Sequence, residues 1–248
     1  MKTLTSISMT IIIGSFIGLI ACNRQPTDPG KGNGLLENTN NGNSSMNLAQ
    51  CSTSVKALPI ESISADERNG LIFMREEEKL AHDVYITLYK KWGTQVFNNI
   101  SYSEQTHTNA VLMLLQRYNI PDPVGTNGAG IFTNAILQTV YNDLVAKGNV
   151  SVAEAIKVGL LIEELDISDL HKEIAKADNQ DIKLVYDNLM RASRNHLRAF
   201  TQSATTQGVT YTSQFITQQE YTTIVTSAWE KGTNAQCGND QQGRHKRR

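Results

Sequence analysis

The stretch Phe97-Asn98-Asn99-Ile100-Ser101-Tyr102-Ser103-Glu104-Gln105-Thr106-His107-Thr108-Asn109-Ala110-Val111 decides how this chain folds. Read at 3.6 residues per turn, one face carries Phe97, Ile100 and Val111 and continues through Leu114 and Tyr118. Glu104 and His107 fall on that same apolar face. Ionised groups buried without a partner are strongly disfavoured, so polar residues at core positions need a chemical reason. Ser101 and Glu104 also fit a capping box, but the period starts earlier, near Thr94, which places both inside the helix.

The same pattern recurs on either side. Ser64 and Glu67 suit a helix start, and a period from there to Trp92 lines up Leu71, Met74, Glu78, Ala81, Tyr85 and Leu88. Gly93-Thr94 is a short turn, so the next helix returns antiparallel. Pro121, Pro123, Gly125, Gly128 and Gly130 then break the period, and a short helix is expected from Asn134 to Ala146. Ser151 and Glu154 open a third long helix, running to about Ala177, with Val152, Ile156, Gly159, Glu163, Asp166 and Leu170 on one stripe. After Asp178-Asn179 a fourth presents Ile182, Val185, Leu189, Ser193, His196 and Phe200. Thr217 and Glu220 suit one further short helix. The link between the second and third long helices is roughly thirty residues, against a usual two to eight in bundles. A link of that length can cross the bundle and let those two helices run parallel.

Depth ties the four polar contributions together. Glu78 lies about fifteen residues before the first turn and His107 about fourteen after it, so each stands roughly 20 Å from that turn. Glu163 and Ser193 are each about fifteen residues from the turn at Asp178, with Asp166 and His196 within one helical turn of that level. The expected fold is therefore all-α, with four long helices sharing one polar layer at mid-height.

Glu104 and His107 are three apart and so share a helix face, the Glu-x-x-His spacing of di-iron and di-manganese carboxylate bundles. Glu78, Glu104, His107, Glu163, Asp166 and His196 are the candidate ligands, with Glu164 a rival to Glu163. Carboxylates with imidazole suit two iron or manganese ions, which with open positions can act on oxygen or peroxide. The competing reading is a polar network with Arg75, Arg117, Arg194 and Arg198 as partners. His82 and His171 are expected outside the layer, Tyr85 and Tyr186 in the core, and Glu76, Glu77 and Lys79 on a solvated face.

The segments Glu76-Glu77-Glu78-Lys79-Leu80-Ala81, Ser103-Glu104-Gln105-Thr106-His107, Glu163-Glu164-Leu165-Asp166-Ile167 and Ser193-Arg194-Asn195-His196-Leu197 carry a resemblance. From about Leu71 to Phe200 the chain looks like the ferritin-like superfamily. It is most similar to a bacterial and archaeal family known as domain of unknown function 2202. The resemblance implies a ferritin-like four-helix bundle, with a long crossover containing a short extra helix, and a dinuclear centre. It implies no assigned activity. The pattern departs from well-studied ferritin-like enzymes at Ser193, where their last helix has a glutamate three residues before the histidine. Asp166 restores the count to four carboxylates and two histidines.

The ends read differently. Lys2 precedes an apolar run from Met9 to Ala21, too short to span a bilayer, that suits a secretory signal. The run ends Leu19-Ile20-Ala21-Cys22, which resembles the bacterial lipobox and implies lipidation at Cys22. Residues 1–21 are thus expected to be a signal peptide, 22–60 an Asn/Gly/Ser-rich flexible tether, 61–230 the bundle, and 231–248 a basic tail. An extracytoplasmic, membrane-anchored protein follows, in the periplasm or at the cell surface, where Cys51 and Cys237 can form a disulfide. A formal net charge of -1 over 248 residues gives no case for nucleic-acid binding. The function expected is an oxidoreductase acting on ferrous iron, peroxide or oxygen, set against a non-catalytic binding module or a metal-free bundle. The lipid tether disfavours a closed storage cage. The redox partner and oligomeric state have no signal in the chain.

Overall fold

In a computed structural model, residues 35–38 and 44–231 are described. The elements are β1 (Leu36–Asn38), β2 (Ser44–Met46), α1 (Leu48–Lys56), α2 (Ala65–Trp92), α3 (Gln95–Arg117), α4 (Ala135–Gly148), α5 (Val152–Lys176), α6 (Gln180–Thr206) and α7 (Gln218–Thr226). The expected signal peptide with Cys22, Cys237 and all of the basic tail beyond Lys231 lie outside the described residues. Among the described residues no helix is long and apolar enough to cross a membrane.

The helix starts follow the local chemistry. Ser64 Oγ accepts the Glu67 N–H at 3.1 Å, and Glu67 Oε2 accepts the Ser64 N–H at 2.9 Å, a complete capping box for α2. Glu67 does more: its Oε1 accepts the N–H groups of Asp178 and Asn179 at 3.0 and 2.9 Å, pinning the α5–α6 turn to the start of α2. Gly93 ends α2 at φ 67°, a left-handed conformation that a side chain disfavours. Ser151 and Thr217 cap α5 and α7 as expected.

The four long helices form a bundle of two hairpins, α2 with α3 and α5 with α6; α2 also packs on α5, and α3 on α6. Cross-helix pairs give the directions. Arg75 meets Thr108 and His82 meets Ser101, so α2 and α3 are antiparallel. Gly70 meets Glu173 and Tyr85 meets Gly159, so α2 and α5 are antiparallel as well. Hence α3 and α5 run parallel, as the long link between them allows. That link carries α4, which packs on α2 and α5. Below the polar layer the core is closed by Tyr85, Phe97 and Phe200, whose ring centroids lie 5.2–6.1 Å apart.

Two expectations are corrected. The stretch read as a flexible tether folds in part: β1 and β2 pair antiparallel, α1 follows, and Leu35, Leu36, Met46, Cys51 and Val55 are buried. Its apolar residues are spaced too far apart for a helical period, but a hairpin and one short helix bury them against α3 and α6. Second, Glu76, Glu77 and Lys79 are buried rather than solvated. The α3–α4 link lies over that side of α2, so Glu76 accepts the N–H groups of Thr133 and Asn134, and Lys79 donates to Asp83 and the Gly128 carbonyl.

Candidate metal centre

Glu78 from α2, Glu104 and His107 from α3, Glu163 and Asp166 from α5, and His196 from α6 are all at most 1% exposed. Glu104 sits at the middle. Its Oε2 lies 2.7 Å from His107 Nδ1 and its Oε1 lies 2.8 Å from His196 Nδ1. Glu78 Oε2 approaches His107 Nδ1 at 3.3 Å, and Glu163 Oε2 approaches His196 Nδ1 at 3.4 Å. The arrangement is two matching halves, each with one histidine and one outer glutamate, joined by Glu104. The two imidazoles stack, with centroids 5.4 Å apart. Glu104, His107 and His196 each offer an atom within 4.8 Å of the other two.

Hydrogen bonding satisfies this set only in part. Both Glu78 oxygens, Glu104 Oε1, Glu163 Oε2, Asp166 Oδ2 and both nitrogens of His196 are buried without a hydrogen-bond partner. The 2.8 Å approach of Glu104 Oε1 to His196 Nδ1 brings opposite charges together without the alignment of a hydrogen bond. Orphaned buried acceptors beside two histidines are groups that a cation could satisfy.

The electrostatics agree. Burial pushes Glu78 up to about 7 against the pull of His107, and burial likewise raises Glu163. Asp166 stands well above the usual carboxylate range, from burial first and then from the charges of Glu77, Glu163, Glu78 and Glu104. Burial alone would lower His196, but the Glu104 and Glu163 carboxylates raise it to about 9. Burial opposes ionisation of Glu104 too, yet the two histidines hold it well below its ordinary value. Four carboxyl groups against two imidazoles thus keep protons in this layer, and full ionisation of the carboxylates would need further positive charge there.

The four arginines considered as partners are engaged elsewhere. Arg75 pairs with Asp122, Arg117 with Asp181, and Arg194 and Arg198 with Glu230. Glu164, the rival to Glu163, accepts the N–H groups of Gln214 and Phe215 at 2.7 and 2.8 Å and so serves the loop before α7. Ser193 donates to the Leu189 carbonyl of its own helix. His82 donates from Nδ1 to the Ser101 carbonyl, and His171 is an exposed partner of Glu220. Cys51 is buried in α1, and its expected partner Cys237 lies outside the described residues.

Three groups that bond to the cluster or act on it by charge were not foreseen. Tyr85 was expected only to fill the core; its hydroxyl donates to Glu163 Oε1 at 2.6 Å. The Ser44 carbonyl lies 3.1 Å from His107 Nε2 and can only accept, so Nε2 carries a proton and Nδ1 is the nitrogen that faces Glu104, at 2.7 Å. Glu77 lies beside Asp166 and Asp169. The Tyr85 and Glu77 positions follow the α2 period and were open to a finer reading. Ser44 had no local signal, because a backbone carbonyl from a distant hairpin leaves no trace in residue type.

Residues 67–228 match the family described as an uncharacterized protein domain, DUF2202. The chain belongs to that family. The DUF2202 span takes in the four long helices and all six candidate ligands, while the β1–β2 hairpin and α1 lie before it. The uncharacterized protein MJ0754 of Methanocaldococcus jannaschii is 53% identical over 180 residues, 73% of this chain and 97% of that one. The crystal structure of the hypothetical protein MJ0754 from Methanococcus jannaschii DSM 2661 matches at a TM-score of 0.69 and 54% identity. It covers 70% of this chain and 99% of that chain.

Proposed function

We propose that this DUF2202 domain is a ferritin-like four-helix bundle holding two iron or manganese ions, and that it serves as an oxidoreductase acting on ferrous iron, peroxide or oxygen. One observation carries the reading: Glu104 directs one oxygen at each histidine, each histidine is flanked by a further glutamate, and both Glu78 oxygens, Glu104 Oε1 and Glu163 Oε2 lack donors. In this assignment Glu78, Glu104, His107, Glu163 and His196 would hold the ions. Asp166 completes the carboxylate set. Iron or manganese bound there supplies one-electron chemistry to a small oxidant.

The surrounding residues have defined work in this scheme. Tyr85 holds Glu163 through a hydroxyl that burial, followed by the charge of Glu163, keeps protonated far above its ordinary range. Ser44 fixes the His107 tautomer. The aromatic residues Phe97 and Phe200 exclude water from the floor of the layer. Cleavage before Cys22 and lipidation there would fix the domain to a membrane outside the cytoplasm.

Metal analysis of the purified full chain tests the assignment. About two ions per chain are expected for the wild type after loading with iron(II) or manganese(II), and strong loss for Glu104→Ala/His107→Ala. Equal metal content in both proteins removes the proposed ligands. A second reading, a metal-binding module without turnover, is favoured by the closure of the site, since every ligand is at most 1% exposed. Consumption of oxygen or peroxide by loaded wild type, absent from the double variant, decides for the enzyme.

A further inference from the structure

A sealed centre raises the question of how an ion reaches it. The cleft along the outer side of α2 is lined by Arg75, Lys79, His82 and Asp83, and its acid is already paired with Lys79. The seam between α2 and α5 has the opposite character. Asp166 Oδ2 is buried without a hydrogen-bond partner, and its strongest charged neighbour is Glu77. Glu77 is only 5% exposed, its Oε2 is also without a partner, and beyond it lies Asp169. The Asp169 side chain is 21% exposed, and at the surface Lys172 Nζ holds it at 2.5 Å.

One turn further along α5, Glu173 fills a notch in α2. A Cβ on Gly70 would collide with Glu173 Oε2 and stand 3.5 Å from the Tyr186 hydroxyl. That hydroxyl is buried and has no hydrogen-bond partner, which is independent of the acidic residues and points to a missing polar ligand in the same seam. Glu163, Asp166, Asp169 and Glu173 recur at three- and four-residue spacing, so α5 presents one line of carboxylates from the centre to solvent.

We propose that Asp169, Glu77 and Asp166 form an uptake route that passes a divalent cation from solvent to the buried centre, with Glu173 and Tyr186 lining its outer end. The ligand class is a hydrated transition-metal dication. Lys172 is 61% exposed and swings into solvent when an ion takes its place on Asp169. The ion then exchanges water for carboxylate oxygens that have no other donor. This inference rests on the dinuclear reading of the centre.

The test follows filling of metal-free full chain by manganese(II), with bound metal counted against time and at equilibrium. Asp169→Asn and Glu77→Gln are expected to slow filling about tenfold or more. Both are expected to reach the wild-type endpoint, while Asp143→Asn, an exposed acid on α4, fills at the wild-type rate. Wild-type filling is expected to slow with added salt more steeply than that of Asp169→Asn. A wild type that fills normally, with both variants matching its rate, overturns the route and leaves the centre standing. A lowered endpoint in both variants also overturns it, because the residues would then be ligands. A wild type that takes up no metal at equilibrium overturns the centre and the route together.

Discussion

Tyr85 shows how one hydroxyl settles the behaviour of a buried carboxylate. Glu163 is fully buried, and burial raises its proton affinity, against which the Tyr85 hydroxyl supplies a donor at 2.6 Å. Tyr85→Phe keeps the ring that packs on Phe97 and Phe200 and removes only the donor. Leaving Glu163 Oε1 unsatisfied is expected to cost the metal-free protein about 1–3 kcal/mol. Urea denaturation of metal-free wild type and variant measures it, and an unchanged midpoint would show that Glu163 does not depend on the phenol. Residue type alone assigned Tyr85 to the core correctly, but direction decided the rest: only the helix crossing aims its hydroxyl at α5.

Among the elements, the β1–β2 hairpin and the start of α2 have consequences disproportionate to their size. The hairpin is held to α3 by Ser103 Oγ, which accepts the Ser44 N–H at 3.0 Å, and by Thr106 Oγ1, which accepts the Met46 N–H at 2.7 Å. Ser103→Ala/Thr106→Val removes both acceptors without touching a candidate ligand. The His107 Nε2–H then loses the Ser44 carbonyl, and metal retention is expected to weaken about 10–100-fold, read by competition with a chelator. Retention equal to wild type would separate the hairpin from the centre. At the start of α2, burial by itself would raise Glu67, but N–H groups of Asn179, Ser64 and Asp178 bring it from 4.5 down to about 2. Its folded-state value is below the unfolded one, so its contribution is complete above about pH 4.5 and disappears as pH falls through about 2. Glu67→Gln is expected to lose about 1.5–3 kcal/mol at neutral pH and to show a shallower fall in stability under acid. Parallel acid curves for the two proteins in urea melts would refute that role.

For the whole molecule, the proposed centre exists only when α2, α3, α5 and α6 are assembled, and binding there would couple metal to folding. Free metal at 100 times its dissociation constant adds about 2.7 kcal/mol, or about 5–10 °C in melting temperature for a domain of this size. Calorimetry with and without manganese(II) reads the shift, which Glu104→Ala/His107→Ala should abolish; a shift that survives in the variant would place binding elsewhere. At this scale the division between chain and fold is plain. The 3.6-residue period, the Ser64, Ser151 and Thr217 caps and the turns at Gly93 and Asp178 determined four long helices, because those signals act within a few residues. Fixed rise per residue also put Glu78, Glu104, His107, Glu163 and His196 at one depth. Helix rotation was left open to within one residue, which is why Glu163 and Glu164 stayed rivals until Gln214 and Phe215 claimed the second. The chain alone missed the buried state of Glu76, Glu77 and Lys79 and the folding of residues 35–38 and 44–56. Those depend on segments far away in sequence covering them, and burial by a distant loop or hairpin is decided only when the tertiary structure closes.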